Sequence, residues 1–418
     1  MSSTDLEVKR LGSASASIAT ATAGAAFLSF VFVTLVARIG GAEARGKLAF
    51  LVALPTLLSF AATLGIEVTN LFHAGRQETR SSLVTASLVV GASTGVVFAG
   101  GAWLLFQVVP GWVPDGISGR LVASALTMTP VMTVQYVLGA LLVGCGREGA
   151  ANMIRVIMPA ISVVIFFVSM AQLSVATSAV AAWIIGQIVG AVYAVVMSVR
   201  AFGLVRPSQM VLSVRELLRY GLPAHGGNLA DVATFRLDSL ILAATVGTIE
   251  LGIYAVAINL AEVLLYVPAS VAMVLLSTSA ASDDSTVLAV RAAVTATAIS
   301  SVGAVAMIVL APWVVRALFG PGFEASVLPL RILSVAMIGM GLRRVLTAEL
   351  AARRRQALAA WVAVVTLAVI ATLDVTLIPR FGAEGAAWAS LVAYLLGGGL
   401  IVIAFLRTQR PTSLPSPG

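Results

Sequence analysis

Five polar residues, His225, Asn228, Asp231, Arg236 and Asp238, stand inside a stretch from Leu217 to Leu242 that is otherwise apolar and long enough to cross a bilayer. A charge at the centre of such a segment costs about 2.5 to 3.5 kcal/mol on insertion scales, so it needs a partner or a water-filled cavity. An arginine there can grip phosphate or carboxylate through its two-pronged fork, while aspartate can take up a cation or orient the arginine. On one continuous helix Asp231 and Asp238 share a face, and His225 and Arg236 share another. Arg236 is badly spaced for a local pair with either aspartate, so its partner is expected from another helix or from an anionic ligand. Pro223 removes a backbone donor and Gly226 and Gly227 loosen the same turn, making these three residues the expected hinge.

Further along, Arg343 and Arg344 lie at depth in another apolar segment. Adjacent arginines cannot share a helix face, so one is expected to point inward and the other to snorkel or to pair with a carboxylate such as Glu262. The anion-binding candidates are therefore Arg236, Arg343, Arg344 and Asn228. Asp231, Asp238, Glu262 and His225 are the candidates for cavity charge or ion coupling. Glu349 is expected to pair with Arg353 at i+4. Glu67 is expected to anchor near the inner surface. Nothing resembles a nucleophile beside a base, a loop of paired carboxylates or a phosphate-cradling glycine loop, so no catalysis and no cofactor are expected. His73, His225 and Cys145 make no metal-ligand pattern.

The elements that must hold these residues are set by composition. The chain is 59% hydrophobic and 11% charged, with mean hydropathy +1.03. Its apolar residues come in runs of about twenty or more, the mark of an all-α polytopic membrane protein. The formal charge of +8 is scattered over short loops rather than gathered in one patch, so nucleic acid is not an expected partner. Twelve spans are expected, near 14–37, 48–69, 83–106, 121–143, 150–173, 175–199, 217–242, 251–277, 286–310, 327–349, 357–378 and 386–405. With the N-terminus inside, the loops of one side carry Arg76, Arg80, Arg147, Arg200, Arg206 and the run Arg353, Arg354, Arg355, an excess that puts both termini in the cytoplasm.

The two halves repeat. Gly41-Ala-Glu43-Ala-Arg-Gly46 parallels Gly247-Thr-Ile-Glu250-Leu-Gly252, Pro110-Gly-Trp112 parallels Pro312-Trp313, and Ala181-Ala-Trp183 parallels Ala386-Ala-Trp388. The offset stays near about 205 residues, as a duplicated six-helix unit gives. Six is even, so the repeats run parallel. The expected layout is an N-lobe at 1–203, with spans one to six, and a C-lobe at 204–418, with spans seven to twelve and a short cytoplasmic tail, around a central cavity.

Several stretches resemble the multidrug/oligosaccharidyl-lipid/polysaccharide (MOP) exporter superfamily, in particular its polysaccharide and O-antigen repeat-unit flippase branch. They are Leu377-Ile-Pro379-Arg-Phe-Gly382-Ala-Glu-Gly385-Ala-Ala-Trp388, then Leu318-Phe-Gly320-Pro-Gly-Phe323-Glu with Leu330-Arg-Ile-Leu333. Tyr220-Gly-Leu-Pro223, followed by Asp238, Gly247 and Leu251-Gly252-Ile-Tyr254, and Ala37-Arg38-Ile-Gly40 up to Gly46 complete the likeness. The resemblance implies a flippase that carries a lipid-linked, undecaprenyl-diphosphate oligosaccharide across the cytoplasmic membrane by alternating access. It implies H+ or Na+ as coupling ion, and a glycan polymerase or glycosyltransferases as protein partners. The lipid II flippase branch is less similar, because its first lobe carries basic residues in its central helices and spans one and three here carry none in their interiors. The alternatives are a cation-coupled multidrug exporter of the same superfamily, using Asp231, Asp238 and Glu262, and a non-transporting membrane assembly protein whose buried charges are structural.

Overall fold

The computed structural model describes residues 3–74, 79–206, 208, 214–279 and 286–408, with side chains described from residue 23 onward except at 72, 110, 214, 216, 223, 224 and 277–279. Arg76, which enters the loop charges, lies outside the described residues. Among the described residues the regular elements are all helical, and nine helices are long and apolar enough to cross a membrane. Large apolar side chains such as Phe27, Val97, Val302 and Trp313 face outward, as a chain solvated by lipid requires.

The chain folds into two compact units. The first comprises Met1–His225 with Gly247–Gly252, and the second comprises Gly226–Val246 with Ile253–Gly418. Unit 1 holds α1 (Ser3–Ala62), α2 (Ile66–His73), α3 (Arg80–Val108), α4 (Gly119–Leu126), α5 (Met128–Gly144), α6 (Glu148–Ser169) and α7 (Val175–Phe202). The chain leaves it within α8 (Val214–Thr234). Leu83, Leu138, Leu141, Leu142 and Leu217 are buried together in its core. Unit 2 holds the rest of α8, α9 (Leu237–Thr245), most of α10 (Thr248–Glu262), α11 (Tyr266–Ser279), α12 (Thr286–Phe319), α13 (Val327–Ala352) and α14 (Gln356–Thr408). There α13 is the central helix, packed on α11, α12 and α14.

Lipid tails are as apolar as leucine, so helices in a bilayer associate where small residues let backbones meet. Two such meetings organise unit 1. The glycine motifs that repeat in the sequence pack against one another: a Cβ on Gly46 would strike the backbone of Thr248, and one on Gly252 would strike that of Ala42. The second meeting follows the end of α1, where Leu64 (φ 48°) and Gly65 (φ 83°) turn the chain into α2. Gly65 lies against the backbone of Gly221 in α8, closer than any side chain allows. The long helices α1 and α14 are each broken by a glycine, Gly41 (φ 71°) and Gly382 (φ 56°).

The stretch 217–242 is not one helix. It is unbroken through 223–227 and breaks at Phe235–Arg236, where Arg236 takes φ −127°. The break is braced from α14: the Tyr394 hydroxyl donates to the Thr234 carbonyl at 3.4 Å and its ring packs on Phe235 at 5.9 Å. A helix end leaves carbonyls without intrahelical partners, and a tyrosine fixed opposite supplies one. Beyond the break Asp238 opens α9, and an acid is well placed in a first turn. The shared faces expected for Asp231 with Asp238 and for His225 with Arg236 therefore do not exist, because the helix does not carry its phase across 235–236.

Candidate functional site

Charge and hydrogen-bonding capacity gather at two places in unit 2 and one in unit 1. In unit 2, Arg343 of α13 donates through Nη2 to Oδ1 of Asp231 at 2.5 Å. The guanidinium side chain is 6% exposed and the aspartate 40%, so the pair is buried at its basic end and open at its acidic end. The arginine stem crosses α14 at Gly397, where a Cβ would sit 3.2 Å from Arg343 Cδ. Arg344 is exposed, and it makes no ion pair among the described residues. One of two adjacent arginines thus turns inward and one outward, but the inward one meets Asp231 rather than Glu262. Glu262 is half-buried with no arginine partner among the described residues. Asn228 is exposed one turn before Asp231.

Arg236 and Asp238 do not pair. Asp238 is wholly buried and accepts from Ser239 N at 2.5 Å, Ser239 Oγ at 3.1 Å and the Tyr254 hydroxyl at 2.5 Å. Tyr254 in turn lies 3.3 Å from Ser390 Oγ. Arg236 is half-buried and makes no ion pair among the described residues. Asp374 of α14 is also wholly buried, within electrostatic reach of Asp238, and neither of its oxygens has a partner among the described residues. Tyr254, Tyr394 and Ser390 are not among the site residues expected from the sequence. The available signal was that tyrosine in an apolar span must find a partner for its hydroxyl.

In unit 1, Glu67 of α2 is buried, which corrects its expected place as a surface anchor. Its Oε1 lies 3.3 Å from Nδ1 of His225, whose ring stacks on Phe60 at 5.6 Å. Nearby Asn70, also missed, donates to Ser87 Oγ at 2.9 Å and to the Val137 carbonyl at 2.8 Å. Of the three expected hinge residues, Pro223 lies within continuous helix, Gly226 has open space beside it, and Gly227 packs directly on Ala360. Glu349 pairs with Arg353 at 2.6 Å, as its i,i+4 spacing predicts. No cluster of metal-binding side chains forms among the described residues.

This fold is shared with known transporters. The lipid II flippase MurJ in an inward closed conformation superposes with TM-score 0.76 at 13% identity, over 93% of this chain and 87% of that one. An inward-facing multidrug resistance MATE family transporter of the MOP superfamily gives 0.71 at 14%, over 92% and 96%. A MOP superfamily transporter from Pyrococcus furiosus, described by the reverse polarity of its binding pocket, gives 0.62 at 15%, over 94% and 93%. At such identities the likeness is one of fold. No curated protein matches the chain in sequence. The family model for polysaccharide biosynthesis proteins matches residues 11–281, well over half of the chain. With nine helices among the described residues long and apolar enough to cross a membrane, and the family model matched over residues 11–281, the chain belongs to the polysaccharide biosynthesis protein family.

Proposed function

We propose that this transporter flips a lipid-linked oligosaccharide, of the undecaprenyl-diphosphate kind, across the cytoplasmic membrane by alternating access, for the building of cell-surface polysaccharide. Its twelve spans form two parallel six-helix repeats, 1–203 and 204–418, with both termini cytoplasmic. The task is physical: a diphosphate and sugar head must pass about 30 Å of hydrocarbon while its lipid tail stays there. The cavity must stand in for water around the head. The Arg343–Asp231 pair carries this proposal. A guanidinium has five donors and the contact to Asp231 goes through Nη2; in a step of the cycle that uncovers the Arg343 side chain, 6% exposed here, its remaining donors would offer bidentate bonds to phosphate. Arg236, free of any carboxylate partner among the described residues, and exposed Arg344 and Asn228 are the further anion contacts.

The test is glycan export measured beside membrane abundance. Arg343→Ala should abolish export without loss of protein, and Arg343→Lys should restore only part of it, because an ammonium keeps charge but loses the paired donors. Asp231→Ala leaves Arg343 buried and unpaired, at a cost of about 3 to 5 kcal/mol if fully desolvated. Removing both partners relieves that cost but not the loss of a phosphate ligand. The double alanine variant should be abundant and inactive. Full export in the double variant would make the pair structural and refute the proposed role.

A second reading, a cation-coupled multidrug exporter, is favoured by Asp374, whose two partnerless oxygens in a buried place suit a bound H+ or Na+. The two readings part at Arg343, which a cationic drug does not need.

A further inference from the structure

From the Glu67–His225 contact we infer a proton-binding site in unit 1, separate from the carboxylates of unit 2, whose occupancy holds or releases the first half of α8. Both side chains are nearly enclosed, 12% exposed for Glu67 and 6% for His225. Each also has an atom with nothing to bond: Glu67 Oε2 and His225 Nε2 have no partner among the described residues. A buried carboxylate with no cationic partner is costly, and the imidazole beside it can take up a proton at its free Nε2 while Nδ1 donates to the carboxylate.

The charge count gives the direction of binding. With a neutral imidazole the couple carries one net negative charge in a membrane segment, and no arginine or lysine pairs with Glu67 among the described residues. A proton arriving at Nε2 makes an imidazolium, which donates from Nδ1 to Oε1. The same proton count is kept if that hydrogen crosses to the carboxylate. Either way the couple becomes neutral as a whole, and the contact between α2 and α8 is strengthened. Loss of the proton returns the negative charge and weakens it.

The couple's place makes that strength matter. Glu67 sits in the first turn of α2, two residues beyond Gly65, and His225 is the last residue of α8 that belongs to unit 1. Along α8 the same side is held by the Gly221 contact and by Thr69, whose hydroxyl donates to the Leu217 carbonyl at 2.9 Å. Among these ties only the one at His225 changes with a proton, and it is next to Gly226, where the chain passes into unit 2.

Other titratable groups on the surrounding elements are His73 of α2 and Tyr220 of α8, whose rings meet at 5.1 Å, and Tyr136 of α5, whose ring meets Phe60 at 6.2 Å. Arg219 of α8 is exposed, and Arg80 of α3 donates to the Ala74 carbonyl. His73 is the rival explanation for any response to pH, and it can be removed separately.

This inference rests on the transporter reading only for its consequence, so its test begins without any glycan. Spin labels at Leu71→Cys and Leu222→Cys, both exposed positions, in Cys145→Ser protein report the distance between α2 and α8. That distance should lengthen as the pH is raised across a range from acid to alkaline. Glu67→Gln and His225→Gln should each remove the change, and His73→Gln should keep it. An unchanged response in Glu67→Gln, or its loss in His73→Gln alone, overturns the site. Should the Glu67 variant fail to reach the membrane, histidine-labelled His73→Gln protein leaves His225 as the sole ring to follow by NMR. A ring that keeps one protonation state over that pH range overturns the site as well. With export, collapse of an imposed proton gradient should slow wild-type protein several-fold and leave Glu67→Gln export, whatever its rate, insensitive. A proton response that survives while no glycan is exported would refute the flippase and leave the site standing.

Discussion

At the scale of single residues, the aspartates within the helices of unit 2 are handled in three different ways. Asp231 is met by a guanidinium, Asp238 by hydroxyls and a backbone amide, and Asp374 by nothing among the described residues. The last two make opposite forecasts. Tyr254→Phe removes a donor from a wholly buried carboxylate, which should destabilise the protein by about 1 to 3 kcal/mol. Asp374→Leu replaces an unsatisfied polar group with an apolar one of similar size, which should leave stability unchanged or raise it. Thermal unfolding of the purified variants in one detergent compares the two directly. If Asp374 serves a coupling ion, the stabilised leucine variant will also be the inactive one, since a site kept unsatisfied at a stability cost is kept for function. A leucine variant as unstable as Tyr254→Phe would mean that Asp374 is held by bonds after all.

At the scale of elements, glycine decides where helices meet and end. Gly221→Ala puts a methyl into the backbone of Gly65, and neither backbone can yield without moving a helix end. The cost should exceed the about 1 to 3 kcal/mol of ordinary overpacking. Gly226→Ala, five residues on in open space, should cost little or even stabilise a helix interior. Melting temperatures of the pair check the contrast. This is also where legibility in the sequence divides. Long apolar runs located the nine helices that are long and apolar enough to cross a membrane among the described residues, because hydropathy and length are local properties. They did not show that 14–37 with most of 48–69, and 357–378 with 386–405, each run on in one long glycine-broken helix. The i,i+4 pair of Glu349 with Arg353 was legible for the same reason. The break at Phe235–Arg236 was not, since the group that braces it, Tyr394, lies far along the chain. The pairing of Arg343 with Asp231 and of Glu67 with His225 needs helices remote in sequence to meet, and periodicity within one helix holds no record of that. The glycine repeat was visible, but its copies were read as equivalents; in the fold they are also each other's contact surface.

At the scale of the whole molecule, the chain passes from one compact unit to the other inside a helix rather than in the polar connector before it. Residues up to His225 belong to unit 1, and the segment Gly247–Gly252 returns to it. A cut in the connector near Ser208 therefore does not separate the units cleanly. It leaves the second fragment carrying two pieces of unit 1: the start of α8, docked through Gly221, and the 247–252 motif, docked through Gly252 on Ala42. Co-expressed fragments should reassemble, because those pieces restore helix contacts that the bilayer alone cannot replace. Affinity capture of one fragment should bring down the other at near-equal yield. Gly221→Leu or Gly252→Leu in the second fragment should each reduce capture, and the two together should abolish it while both fragments remain in the membrane. The same cut tests function as well as assembly. If transport needs α8 to pass force between units, a break before the helix should be tolerated and a break within it should not. Fragments split instead after Gly226 should thus still insert but fail to export. Export by fragments split inside α8 would show that its continuity is dispensable.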